Sequence, residues 1–382
     1  MALAGPGATI LAFVVVGLIA WGAMDGLGEM VVFWPVPNPL VQFVQTFVDR
    51  ELGTVVHFAY WYTYAISTVA VITTAGGIVQ YWSQGSESNV SKALIFVTFP
   101  IIILLVNCSS VKVFGYIELF GGSLKLFMVA GLALIMFLID WGVGQAPKAN
   151  LSSCIQDGFQ THIEGTDKSI AAVLAISLAV FPYVGVETFT ITAFEAKNSD
   201  ALKLPSKRMV PFVMFLYTLS VFGFSLNVPW TNGFLPAYYN SWTPRREDEG
   251  LTCHNHRPRD LNRRQAVIDF SNSSGHVLPT IAIDLAGINV LSGFVNGCLL
   301  YSALSTANSS LYMASRILHS FTATHGETRF LSYFNRLNDQ GSPVWASWAF
   351  QLLGYLTAKV TKRSSPSTHI SAQDYVSSYY LA

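Results

Sequence analysis

Seven apolar runs dominate this chain and leave it few ways to fold. They lie at about Ala8–Phe33, Thr54–Trp82, Lys92–Val106, Phe114–Ile139, Ser169–Phe194, Met209–Val228 and Ile288–Leu311. A bilayer core offers no water to a polar backbone, so each run must satisfy its own N–H and C=O groups, which a helix does. Composition agrees: of 382 residues, 52% are hydrophobic and 12% charged, against about 25% charged in a soluble domain. The reading is an all-α polytopic membrane protein whose surroundings are the lipid bilayer.

Several function classes find no support. Lys+Arg 22 balances Asp+Glu 22, and no basic stripe marks a nucleic-acid partner. Four cysteines are too few for a disulfide framework. Cys108 and Cys298 lie in apolar runs and read as packing residues, while Cys154 and Cys253 lie in polar loops where a bridge stays open. His254 and His256 beside Cys253 have no second ligand pair at usable spacing, so neither a metal nor another cofactor is expected. No nucleophile–base pair suggests an enzyme. The start, Met1-Ala2-Leu3-Ala4-Gly5-Pro6, lacks the basic n-region of a signal peptide.

The fifth run is interrupted. Phe181-Pro182-Tyr183-Val184-Gly185-Val186-Glu187-Thr188 puts a Pro, a Gly and a carboxylate between two apolar helical stretches. Pro182 removes a backbone donor and clashes with the preceding turn; Gly185 frees the backbone beside it. Broken backbone in lipid survives where it faces protein or a watery cavity, and a carboxylate at that depth usually marks a site. These residues alone leave two readings open: a ligand site, or a proline kink with Glu187 bonded to a neighbouring helix.

Other polar residues fall inside the runs. Glu118 and, deeper, Lys125 occupy the fourth, with Gly121-Gly122 between them suited to close helix approach. Ser305 and Asn308 stand in the small polar stretch Ser302–Ser310 that ends the seventh, where interhelical hydrogen bonding is the plain alternative to a functional role. Asp25 near the end of the first run reads as interfacial, as do Tyr62 and Tyr64 in an aromatic belt, and His57 as a satisfied histidine. Leu40–Val48 reads as a short interfacial helix and Tyr312–Asn338 as an amphipathic connector. Lys197, Lys203, Lys207 and Arg208, with Arg316, Arg329 and Arg336, place their loops in the cytoplasm. Asn89, Asn150 and Asn272 then fall outside in glycosylation sequons. The arginines between Arg245 and Arg264 run against this orientation, which long loops tolerate.

Five stretches in register resemble the fungal amino-acid permeases of the amino acid–polyamine–organocation superfamily. They are Met24-Asp25-Gly26-Leu27-Gly28-Glu29-Met30 with Pro35-Val36; Tyr60-Trp61 with Gln80-Tyr81-Trp82; Glu118 with Ser123-Leu124-Lys125; Tyr183-Val184-Gly185-Val186-Glu187 with Thr192–Ala196; and Ser302–Ser309 with Ser315-Arg316-Ile317-Leu318. The resemblance covers about Ala4 to Tyr355. It implies a partial LeuT-like inverted-repeat transporter holding helices two to eight and the start of nine. The family's first helix and helices ten to twelve are expected to lie outside this chain, as for a product truncated at both ends. Residues 1–360 would form a partial transmembrane domain with a polar outer loop at 229–279, and 361–382 an unstructured tail.

The same resemblance implies secondary transport of amino acids with protons, at the plasma membrane. The second repeat's break, at Phe181, Tyr183, Val184, Gly185 and Glu187, would bind the substrate, its partner break lying in the missing helix. Lys125 would couple transport to protons, with Glu118, Ser305 and Asn308 in support. One departure stands out: where many relatives carry a Pro and a Glu in the third helix, this chain has Val69 and Val71. Two other readings remain, an inactive truncated permease fragment and a seven-span receptor.

Overall fold

The chain's geometry comes from a computed structural model that describes residues 4–36, 38–79, 81–82, 94–143, 158–159, 167–193, 203–228 and 277–325. Among these residues there are helices and turns and no strand. In chain order the helices are α1 (Gly5–Phe33), α2 (Pro39–Phe47), α3 (Arg50–Val79), α4 (Phe99–Cys108, after a π turn at Leu94–Thr98), α5 (Val111–Asp140), α6 (Lys168–Ala179), α7 (Thr188–Ala193), α8 (Lys203–Asn227), α9 (Leu278–Leu285) and α10 (Asn289–His325). A 3-10 turn, Phe181–Tyr183, stands between α6 and α7.

Local chemistry explains many of the ends. Pro6 sits in the first turn of α1, where a missing N–H costs nothing. The neighbouring donors of Gly7 and Ala8 both reach the Gly158 carbonyl, at 2.8 and 3.1 Å. Asp49 caps α3 by accepting from Leu52 N at 2.9 Å. The Ser110 hydroxyl accepts from Val113 N at the start of α5.

Among the described residues, six stretches are long and apolar enough to cross a membrane: Gly5–Phe33, Arg50–Val79, Lys112–Asp140, Lys168–Thr190, Leu204–Asn227 and Val290–Ala323. The run expected at Lys92–Val106 is described from Leu94 as a π turn and the ten-residue α4, short of the about 20 residues that span a bilayer. The seventh run does not end at Leu311. No Gly or Pro interrupts residues 298–325, and the buried stripe Ala307, Leu311, Ala314 and Ile317 continues at helical spacing. The first part of the expected connector is therefore the last part of α10. Tyr64 is buried within the protein while Tyr62 is exposed, so the expected belt includes Tyr62 alone of the two. The region 326–382, the sequons at Asn89, Asn150 and Asn272, and Cys154, Cys253, His254 and His256 lie outside the described residues.

The chain divides into two compact units. The first comprises Met1–Pro35 and Leu126–Asn296. Its core is built on two stripes four residues apart: Ala4 at the cap of α1 with Ala8, Ala12 and Val16 along it, and Ala171, Ala175 and Ala179 on α6. Without a hydrophobic drive in lipid, small faces allow the close van der Waals approach that holds helices together. Asn227 ties α8 to α5, donating to the Met136 carbonyl at 2.8 Å.

The second unit comprises Val36–Lys125 and Gly297–Ala382. Here α10 gathers partners along its length. Phe114 stacks on Tyr312 with centroids 3.9 Å apart, and the Arg316 guanidinium carbon lies over the Tyr312 ring, 4.1 Å from its centroid. His57 is buried on α3; its Nε2 lies 3.0 Å from the Ile317 carbonyl oxygen and 3.2 Å from Asn38 Nδ2, and its ring meets Phe321 edge-on at 5.1 Å. His57→Ala is expected to destabilise the protein by about 2–4 kcal/mol, from a cavity plus a lost buried hydrogen bond. Thermal unfolding in detergent checks this, with the exposed Phe58 changed to Ala as the comparison that stays near wild type.

Candidate functional site

The interruption in the fifth run is real helix breakage. After α6 the chain tightens: Tyr183 N donates to the Val180 carbonyl at 3.1 Å and Val184 N to Phe181 at 3.0 Å, both three residues back. Pro182 falls in the first turn of this 3-10 segment, where it needs no donor. Val184 then turns extended, with ψ 130°, and Gly185 adopts φ +104°, a region that side chains with a Cβ avoid. Thr188 and Thr190 restart the helix. Their hydroxyls return 2.7 Å hydrogen bonds to the carbonyls of Gly185 and Glu187.

Side chains at the break divide in two. Phe181 and Val184 are exposed, while Tyr183 and Val186 are buried. The Glu187 carboxylate turns back and accepts from Gly185 N at 3.0 Å, supplying a partner to a donor freed by the break. Two phenols clamp the segment from behind. Tyr183 donates to the Phe13 carbonyl on α1 at 2.9 Å, and Tyr217 on α8 donates to the Pro182 carbonyl at 3.0 Å. The rings of Tyr183 and Tyr217 meet at right angles, 5.4 Å apart, and Phe13 completes the trio. Phe13 and Tyr217 are absent from the sequence reading. The signal for Tyr217 is its hydroxyl, since a phenol buried in a span needs an acceptor; Phe13 contributes a ring and a backbone oxygen, and its sequence carries no signal.

The fourth run gives a second polar cluster, within the other unit. Glu118 and Lys125 are seven residues apart on α5, two helical turns. Lys125 Nζ stands 3.4 Å from Glu118 Oε1, with both side chains partly buried. The same oxygen accepts from the Ser309 hydroxyl of α10 at 2.8 Å. Glu118 Oε2 is buried and has no hydrogen-bond partner among the described residues. Gly121 makes this meeting of helices close: a Cβ there would stand 2.7 Å from Tyr301 Oη and 3.6 Å from Ser305 Oγ. Gly122 faces open space, so the close approach uses Gly121.

The remaining expected residues take other places. The Ser305 carbonyl accepts from Ser309 at 3.0 Å. Asn308 pairs with Asn107 of α4, whose Nδ2 donates to Asn308 Oδ1 at 2.7 Å. Asn107 and Ser309 are thus the members of this region that the sequence reading leaves out, although Ser309 lies inside its small polar stretch. Among the described residues no group of three His, Cys, Asp or Glu could hold a metal ion.

A broken span and a charged pair inside another span are the two features to compare with known proteins. The profile of the amino acid permease family matches residues 1–372. This chain belongs to the amino acid permease family. The basic amino-acid permease of Saccharomyces cerevisiae is 27% identical to it over 363 residues, covering 93% of this chain and 56% of the relative. The proline-specific permease of the same yeast is 26% identical over 363 residues, covering 92% and 53%. A lysine-specific permease of Lactococcus lactis subsp. cremoris is 25% identical over 363 residues, covering 93% and 63%. The chain thus spans between about half and two thirds of the length of these permeases. As a member of the family with several apolar helices, it is an integral multi-pass membrane protein.

Proposed function

We propose that this permease-family chain acts in secondary transport of amino acids across the plasma membrane, driven by protons. The observation that carries the reading is the break at 181–187. It exposes Phe181 and Val184 beside backbone that has left the helix, at a position where hydropathy alone calls for an unbroken span. Broken helices in transporters present half-helix ends and free backbone to a substrate's charged groups. Here Gly185 N–H is held by Glu187, so an incoming carboxylate exchanges with an internal one. Phe181 and Val184 would line the place of the substrate's side chain. Lys125, partly buried in its span and 3.4 Å from Glu118 Oε1, is the proposed coupling group, because a charge inside a span is costly and usually marks a site.

Uptake of radiolabelled amino acids by permease-deficient yeast expressing this chain tests the proposal. The panel includes basic amino acids, proline and dicarboxylic amino acids, since relatives are named for each of these. The expected result is uptake of at least one class that grows with an inward proton gradient and loses that dependence in Lys125→Ala. Absence of uptake across the panel counts against transport; uptake indifferent to the gradient counts against coupling.

A further inference from the structure

We propose that Tyr217 is a positioning residue of the break: its hydroxyl keeps the Pro182 carbonyl out of the helical hydrogen-bond ladder, and so holds Val184 and Gly185 in the geometry offered to the substrate. This deepens the reading of 181–187 as the substrate's place and rests on it. In a continuous helix the Pro182 carbonyl would accept from the N–H of Val186, four positions on. Here Val186 N turns to the Tyr183 carbonyl instead, at 3.4 Å, beyond the roughly 3.2 Å at which such bonds usually end. The Pro182 carbonyl has thus lost its helical donor, and an unpaired carbonyl within a span is costly. Tyr217 Oη donates to it at 3.0 Å, and among the described residues no other donor reaches it.

Pro182 and Gly185 explain why the helix breaks; neither gives the freed carbonyl a donor. That donor comes from α8, within the same compact unit. The Tyr217 ring meets Tyr183 edge-on at 5.4 Å and Phe13 edge-on at 6.0 Å, so it is braced by the 3-10 turn and by α1 while its hydroxyl falls on one atom. The two phenols differ in what they do. Phe13 lies within α1, where its carbonyl has a helical donor of its own, so the Tyr183 hydroxyl adds a second bond there. The Tyr217 hydroxyl supplies a bond that the helix has given up. Without it, the nearest donor to the Pro182 carbonyl is Val186 N, one turn on. Pairing those two draws Val184 from its extended ψ of 130° and Gly185 from its φ of +104° back toward helix. The exposed face at Phe181 and Val184 goes with them.

Hydrogen exchange read by mass spectrometry on the full chain in lipid nanodiscs tests this without transport, through the sign of one change. The expected result is slower exchange of the Val186 amide in Tyr217→Phe than in the wild type, because the amide gains the Pro182 carbonyl. A residue that only packs gives the opposite sign: Tyr217→Ala, which removes the ring too, is expected to exchange faster over 181–190. Exchange in Tyr217→Phe that is faster than wild type, or unchanged, overturns the proposal. Uptake kinetics separate it from the transport reading. In Tyr217→Phe, KM is expected to rise about tenfold with the maximal rate kept within about twofold, since the hydroxyl acts on the shape of the binding segment. A loss of maximal rate at unchanged KM, or no change in either, overturns the positioning role. A wild type that takes up no amino acid sinks the transport reading, and the exchange result still decides what Tyr217 does.

Discussion

Gly185→Val is expected to lower uptake about fifteenfold while leaving the helices on either side intact. The reason is backbone conformation alone. Gly185 sits at φ +104°, and a Cβ there would meet nothing within 4 Å, so an added Cβ acts through the backbone conformation and not through a clash. Holding a residue with a Cβ in such a region costs about 1–3 kcal/mol. Against an alternative break of equal energy, about 2 kcal/mol changes the ratio of the two roughly thirtyfold and so cuts the share of chains in the observed geometry roughly fifteenfold. Gly185→Ala is expected to fall in the same range, and Gly185→Asn to lose less, since Asn tolerates positive φ better than other side chains. Gly77 provides the control. It too faces open space, but it lies in regular helix, where Ala is better than Gly by about 1 kcal/mol. Gly77→Ala is therefore expected to keep full uptake. Uptake per surface-expressed chain is the measurement. Ala and Val variants at 185 that match wild type would show that the positive φ is not needed.

The break was legible in sequence because its causes are local. Pro182 and Gly185 disturb the helix that contains them, and nothing distant is required. The Glu118–Lys125 pair was half legible for a similar reason: seven residues along one helix bring two side chains to one face. What the sequence hid lies across the chain. Tyr183 finds its acceptor 170 residues away on Phe13, Ser309 finds Glu118 at a separation of 191, and Asn107 finds Asn308 at 201. Periodicity says that such polar groups need partners, and composition offers many. Only packing chooses among them. The extent of α10 was missed for another reason. Hydropathy falls after Leu311, yet the backbone responds to the absence of Gly and Pro as far as His325, so the helix outlasts its apolar face.

Gly17→Val is expected to be the second severe substitution, by the opposite mechanism. Here φ is ordinary and space is missing. A Cβ on Gly17 would come 2.7 Å from Tyr183 Oη and within contact of the Met214 side chain. Met214 is a flexible thioether and yields. Tyr183 is buried and held by its hydrogen bond to the Phe13 carbonyl, so it moves only by giving that bond up. Overpacking of this kind costs about 1–3 kcal/mol, and the lost hydrogen bond about 1 kcal/mol more. Because Tyr183 is itself part of the 3-10 segment, its displacement carries Val184 and Gly185 with it. The readout follows from that coupling. A cysteine placed at the exposed Val184, in a chain whose four natural cysteines are replaced by serine, is expected to react with a water-soluble maleimide at a changed rate when Gly17→Val is added. Tyr183→Phe removes the hydroxyl that meets the new Cβ. Combined with Gly17→Val, it is expected to recover part of the loss in thermal stability, because the two changes share one contact and so are not additive. Additive losses in the double variant would mean that Gly17 and Tyr183 act separately.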